Sequence, residues 1–362
     1  MAHLKGKNIP VNKGNFNLDT EERLRGFDSI RGFGWDEEYR KYRKLWYDLP
    51  KRTELSDYPL HVDLELSSVC NLHCPMCFNR KMSSTGGDKT CFMDVGLFKK
   101  IIDEVSSHIY SIRLSLRGES TLHLHLIECL AYAKQKNIPE VSMLTNGSKL
   151  TDRMIRDLID SGIDWITISI DGIGDMYSSI RAPLTTEYIT DVLRKIKNYK
   201  RKKVVVKPAI KVQSIWPAIR DDPTQYYQMM APLSDLVAFN PLIDYLRNDD
   251  IGDIVYEENF ICPQPYQRLV VFSDGSATAC TNDEHEENVV GDTVKQTIRD
   301  IWHGTVLQGL RDWHKGKNGF QKIKLCRTCF YPRKTYIAET AVVDGRDIHI
   351  YDYINRTQEI GK

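Results

Sequence analysis

The chain has 362 residues, 41% hydrophobic and 27% charged, which allows a sizeable core and excludes a globally disordered protein. Lys and Arg number 50 against 49 Asp and Glu; the net charge of +1 argues against a sequence-blind nucleic-acid binder, which needs a basic excess. No apolar run reaches the roughly 18 residues of a membrane-spanning helix, and the N-terminal MAHLKGKNIPVNKGN lacks the apolar centre of a secretory signal. The expectation is a cytoplasmic protein with neither a nucleic-acid nor a membrane partner.

Residues 1–58 are polar and aromatic, without a strand pattern. The spacing predicts a helix over 35–47 with Trp35, Tyr39, Tyr42 and Trp46 on one face. The simplest use of that stripe is to dock this arm on the body of the protein. From residue 60 the pattern alternates. Strands are predicted at 60–67, 109–116, 138–145, 164–170, 203–213 and 236–243, with helices at 95–107, 122–136, 151–161, 185–199 and 223–232 between them. Six strands separated by helices predict an α/β fold with a parallel sheet and right-handed crossovers, either open or an incomplete barrel. Ligands of such folds sit at the carboxyl ends of the strands. The basic stretch 194–207 spans a helix end and a strand start and reads as a solvated face. Residues 246–362 break the alternation, with a hairpin in RLVVFSDGSATACTND turning at Asp274-Gly275 and short helices near 295–315. The resulting domains are an arm (1–58), a core (59–245) and a smaller C-terminal domain (246–362).

There are nine cysteines, and in a reducing cytosol disulfides are not expected of them. Cys70-x3-Cys74-x2-Cys77 directly follows the first strand. Three thiolates this close fit three irons of a 4Fe–4S cube and leave the fourth iron open to a chelating molecule. A zinc site would need a fourth ligand, and His73 inside the loop closes it awkwardly. Cys262, Cys280 and the pair Cys326-x2-Cys329 make a closed set of four. That set suits either zinc or a second cube, and spacing alone leaves both open. Cys129, in HLIECLAYAK, reads as core. Cys91, just before the helix at 95, is a candidate to face the pocket.

C-x3-C-x2-C after the first strand of a six-stranded β/α chain resembles the radical S-adenosylmethionine (SAM) superfamily over about residues 60–245. The resemblance implies a partial (β/α)6 TIM-like barrel. Gly118-Glu119 in SLRGES is similar to the family's Gly-Gly-Glu motif, which holds the SAM amino group; Arg117 stands where the first glycine would be. A carboxylate beside a glycine suits an ammonium, because the glycine permits close approach and Glu119 supplies charge. Thr145-Asn146-Gly147 resembles the family's Thr-Asn-Gly turn. Ser169 and Asp171 match positions near the SAM ribose and methionine ends, and Arg181 an arginine that faces the SAM carboxylate. Gln213 is a further ribose candidate, and Met76 takes the position that packs near the adenine. The C-terminal pattern, C-x17-C then C-x45-C-x2-C, resembles the auxiliary-cluster extension called SPASM in its shortened twitch form. It implies one auxiliary 4Fe–4S cluster on Cys262, Cys280, Cys326 and Cys329.

The family's chemistry follows as an expectation. An external donor such as flavodoxin or ferredoxin reduces the first cluster, SAM is cleaved to methionine and a 5′-deoxyadenosyl radical, and the radical abstracts hydrogen from the substrate. A small polar molecule of sugar or cyclitol type, oxidised or epimerised, is the leading substrate class. A peptide is the second, and a zinc-stabilised α/β binding module without redox chemistry is the reading from another class. Epimerisation would give Cys91 the role of hydrogen donor. Lys211, Asp244 and Tyr331 are base candidates for an alcohol oxidation, and no spacing selects one.

Overall fold

A computed structural model describes residues 16–77, 91–240 and 254–355. Asp244, the end of the sixth predicted strand and the 245/246 boundary lie outside these ranges. A short strand β1 (Phe16–Asn17) precedes the six predicted ones: β2 (His61–Leu64), β3 (Ser111–Arg113), β4 (Glu140–Thr145), β5 (Trp165–Ser169), β6 (Ala209–Ile215) and β7 (Leu236–Asn240). Strands β2 to β7 are parallel and adjacent in chain order. Helices Val95–Val105, Leu126–Gln135, Asp152–Asp160, Gly174–Ile180, Thr186–Lys203 and Pro223–Met230 lie between them in sequence. This is the partial (β/α)6 barrel. Asp94, Thr151, Thr185 and Asp222 each cap the helix that follows, accepting from a backbone N–H of its first turn. Among the described residues no helix is long and apolar enough to cross a membrane.

Two local readings need correction. The strand predicted from 203 begins at Ala209, because helix Thr186–Lys203 runs through the basic stretch to Lys203. Lys and Arg are good helix formers, so the helix outlasts the apolar pattern that predicted it. Val204 then turns left-handed (φ 55°) and the valines at 204–206 are exposed rather than in the sheet. The arm also holds a helix that the aromatic pattern did not show, Glu21–Gly32, capped by Thr20.

The predicted aromatic helix spans Asp36–Arg52 and does dock the arm. Tyr42 stacks on Tyr110 at 5.2 Å between centroids, and Trp46 meets His61 edge-on at 6.1 Å. Phe27 packs with Trp165, Ala209 and Leu236. Arg31 donates from Nε and Nη2 to the two oxygens of Glu140, both at 2.9 Å. His61, Glu140, Trp165, Ala209 and Leu236 are the first residues of their strands. The arm therefore closes the amino-terminal mouth of the barrel and leaves the carboxyl ends for chemistry.

The C-terminal part continues the same sheet. The predicted hairpin forms β8 (Arg268–Val271) and β9 (Ser276–Thr278), with Gly275 at φ 91° in its turn. β8 pairs parallel with β2, and β10 (Val289–Asp292) adds antiparallel to β9. A second hairpin, β11 (Thr335–Val343) and β12 (Arg346–Tyr353), turns through Asp344 and Gly345, both at positive φ. It crosses to the far edge of the barrel: Tyr351 stacks on Phe16 at 5.6 Å and Glu339 accepts from the Trp216 indole.

Candidate functional site

The cysteine triad sits in the loop after β2. Cys74 is buried, and Cys70 and Cys77 are half-buried. The loop is seated on Gly118, where a Cβ would overlap the carbonyl oxygens of Ser67 and Val69. The backbone N–H of Glu119 donates to Val69 O at 2.8 Å. The close approach that Gly118 permits is thus made by the cysteine loop itself.

Glu119 is buried and ties β3 to β4. Its Oε1 accepts from Thr121 Oγ1 at 2.6 Å and Thr145 Oγ1 at 2.7 Å, and its Oε2 from the Asn146 N–H at 2.7 Å. It also caps the short 3-10 turn Ser120–Leu122. Asn146 Nδ2 points to Cys70 Sγ at 3.8 Å and donates to Asn71 Oδ1 at 3.1 Å. Glu119 and Arg181 act electrostatically on Cys70, and Arg181, Cys77 and Asp171 on Cys74. Arg181 Nε and Nη2 both lie on Asp171 Oδ2, at 2.6 and 2.5 Å. Ser169 and Gln213 are register partners on β5 and β6. Met76 is half-buried against the core. Strand ends β2 to β6 thereby bring the predicted residues to one rim of the barrel.

The second group lines one cavity. Cys262, Cys280, Cys326 and Cys329 surround it together with His314 and Tyr331. The Asn282 N–H donates to Cys280 Sγ at 3.2 Å, and its Nδ2 to Cys329 Sγ at 3.5 Å. His314 Nε2 lies 3.6 Å from Cys326 Sγ. Tyr331 is thus placed at the auxiliary cysteines. Cys129 is in the core, with no exposed surface.

The remaining candidates lie elsewhere. Cys91 Sγ is 2.9 Å from Ser273 Oγ, which donates to Glu65 at 2.9 Å. Lys211 is buried on β6, two residues before Gln213. Sequence reasoning missed Glu65 and Asn282. The alternation His61, Asp63, Glu65 on one face of β2 was the available signal, since three polar residues at period two mark a polar barrel interior. Burial opposes the charge of Asp63, but Arg113, His61 and Arg268 outweigh it and hold the carboxyl well below the usual range.

The thiols fit cubes better than single ions. Burial pushes the Cys74 thiol up to about 11 and Cys262 to about 12, so each needs a bound cation to stay a thiolate at neutral pH. Among the described residues no three His, Cys, Asp or Glu side chains are placed to hold one metal ion. Zinc needs its ligands around one point, whereas each thiolate of a cube binds a different iron. The triad would hold the SAM-binding cluster and the four-thiol cavity the auxiliary one.

Comparison with known proteins agrees. Residues 64–211 match the model of the radical SAM superfamily, and residues 262–330 that of an iron–sulfur cluster-binding domain, SPASM. A tungsten-containing aldehyde ferredoxin oxidoreductase cofactor-modifying protein of Pyrococcus furiosus is 26% identical over 200 residues; the alignment covers 54% of this chain and 54%, about half, of that relative. The S-adenosyl-L-methionine-dependent 2-deoxy-scyllo-inosamine dehydrogenase of Niallia circulans is 23% identical over 278 residues, 74% of this chain and 91% of the enzyme. The crystal structure of BtrN in complex with AdoMet and 2-DOIA shares the fold, with a TM-score of 0.51 at 20% identity over 75% of this chain and 92% of that one. The chain thus carries a radical SAM domain over residues 64–211 and a SPASM iron–sulfur cluster-binding domain over residues 262–330.

Proposed function

We propose that the chain oxidises a carbinol carbon of a small polar ring, of the sugar or aminocyclitol type, to a ketone. When bound, the two clusters and SAM supply a 5′-deoxyadenosyl radical and an acceptor for one electron. The substrate gives up a hydrogen atom from carbon, a proton from oxygen and that electron, which balances the two-electron oxidation. The observation that carries this reading is the auxiliary cavity: four thiols ligate every iron of a cube, so the site has no open iron for a substrate and is suited to electron transfer. The cover of 91% of an aminocyclitol dehydrogenase supports the substrate class.

This chain's residues would hold and position. Cys70, Cys74 and Cys77 ligate the first cluster, and Asn146 orients Cys70. Glu119, Asp171, Arg181, Ser169 and Gln213 shape the rim for SAM, with Met76 beside the nucleoside. The arm closes the opposite mouth of the barrel, which helps keep water from a radical site. An external one-electron donor, such as flavodoxin or ferredoxin, reduces the protein.

The test is anaerobic incubation with reductant, SAM and aminocyclitols deuterated at the carbinol carbon. Deuterium should enter 5′-deoxyadenosine and a ketone should form. Turnover of a peptide with none of the cyclitols would overturn the assignment.

A further inference from the structure

We infer that Arg117 is a positioning residue that holds the auxiliary-cysteine loop against the loop of the first triad, and so sets the hydrogen bonds received by the auxiliary cluster. The inference rests on the auxiliary cluster assigned above. Arg117 directly precedes Gly118 and Glu119 in the sequence SLRGES.

Its guanidinium is shared between the two parts of the protein. Nε and Nη2 donate to the two oxygens of Glu65, each at 2.7 Å. Nη1 donates to Glu284 O at 3.0 Å and to Glu286 Oε1 at 2.9 Å. Its face lies 4.3 Å from the centroid of Phe272. The side chain is only 5% exposed and Glu65 not at all, so these contacts are little screened by water. A planar fork is needed to serve both sides, which a lysine ammonium cannot do.

Each end leads within a few residues to cluster ligands. Glu65 directly follows β2 and precedes the Cys70–Cys77 loop; it also accepts from the Ser273 hydroxyl at 2.9 Å. Gly118, next to Arg117, is the floor of that loop. On the other side Glu284 lies two residues after Asn282, whose two donors reach Cys280 and Cys329. Hydrogen bonds to ligand sulfur raise the reduction potential of an iron–sulfur cluster. Releasing residues 284–286 should loosen both donors and lower it.

Arg117→Lys keeps the charge beside Glu65 and loses the fork. In the anaerobically reconstituted holoenzyme, amides of 281–288 should exchange with deuterium roughly tenfold faster than in the wild type. The midpoint potential of the auxiliary cluster, followed by electron paramagnetic resonance, should become more negative. Glu286→Gln, which weakens the contact on the loop side and leaves Glu65 unchanged, should also speed exchange and guards against misfolding of the first variant. If both variants load two clusters and show wild-type exchange and potential, Arg117 does not set that loop. A wild-type protein that binds only one cluster would overturn the auxiliary-cluster assignment instead.

Discussion

Glu119 and Asn146 are joined by a 2.7 Å hydrogen bond from backbone N–H to carboxylate, and through it the end of β3 fixes the turn that faces Cys70. Glu119→Gln puts an amide in place of an oxygen among donors, leaving either Asn146 N–H or the hydroxyls of Thr121 and Thr145 without an acceptor. Stability should fall by about 1–3 kcal/mol, measured by urea unfolding. An unchanged midpoint would mean that these groups find other partners.

Gly118→Ala should displace the cysteine loop, because the added carbon would meet backbone oxygens rather than a flexible side chain. The reconstituted protein should lose the first cluster and keep the second, so iron falls from about eight to about four per chain. Full iron loading would show that the loop accommodates the methyl group.

Much of this site was legible because its signals are local. The cysteine spacings, the strand-helix alternation and the turns at strand ends need only neighbours in sequence. The valines at 204–206 misled because β-branched residues resemble a strand wherever they stand, and only the tertiary structure shows them exposed. The β11–β12 hairpin was readable in Asp344-Gly345 between β-branched runs, the signal that did identify Asp274-Gly275. The Arg117–Glu65 pair was not readable in that way. Its partners are 52 residues apart and meet only when β2 and β3 pair.

The Arg31–Glu140 pair bridges the arm and β4, with side chains only 10% and 1% exposed. Arg31→Met leaves the buried Glu140 charge with the Ser111 hydroxyl but without its guanidinium and should cost about 3–5 kcal/mol. The double variant Arg31→Met/Glu140→Met should recover most of that loss. A double variant as unstable as the single one would show that the arm contributes through other contacts.

Lys211 gives a pH signature. Burial first, then Arg31 and Arg113, lower its pKa to about 7 from 10.5. Between about 7 and 10.5 the unfolded chain binds this proton and the folded one releases it, so this group's contribution makes stability rise with pH across that window. Below 7 both states are charged and the full cost of burying the ammonium is present. Lys211→Met should remove the slope when unfolding is measured from pH 7 to 9.5; an unchanged slope would assign it to other groups.

Cys91 separates oxidation from epimerisation. Oxidation gives this thiol no part, so Cys91→Ser, which can keep the contact with Ser273, should still form ketone within about threefold of the wild-type rate, a change under 1 kcal/mol in barrier. An epimerase would consume SAM in this variant and lose its product.

The most direct measurement is SAM cleavage by the anaerobic, iron-loaded protein. With reductant, the wild type should release 5′-deoxyadenosine and methionine, and a Cys70→Ala/Cys74→Ala/Cys77→Ala variant should release neither while retaining about four irons in the auxiliary site. Release of 5′-deoxyadenosine at the wild-type rate from that variant, or from the wild type without any reductant, would contradict the assignment of the triad.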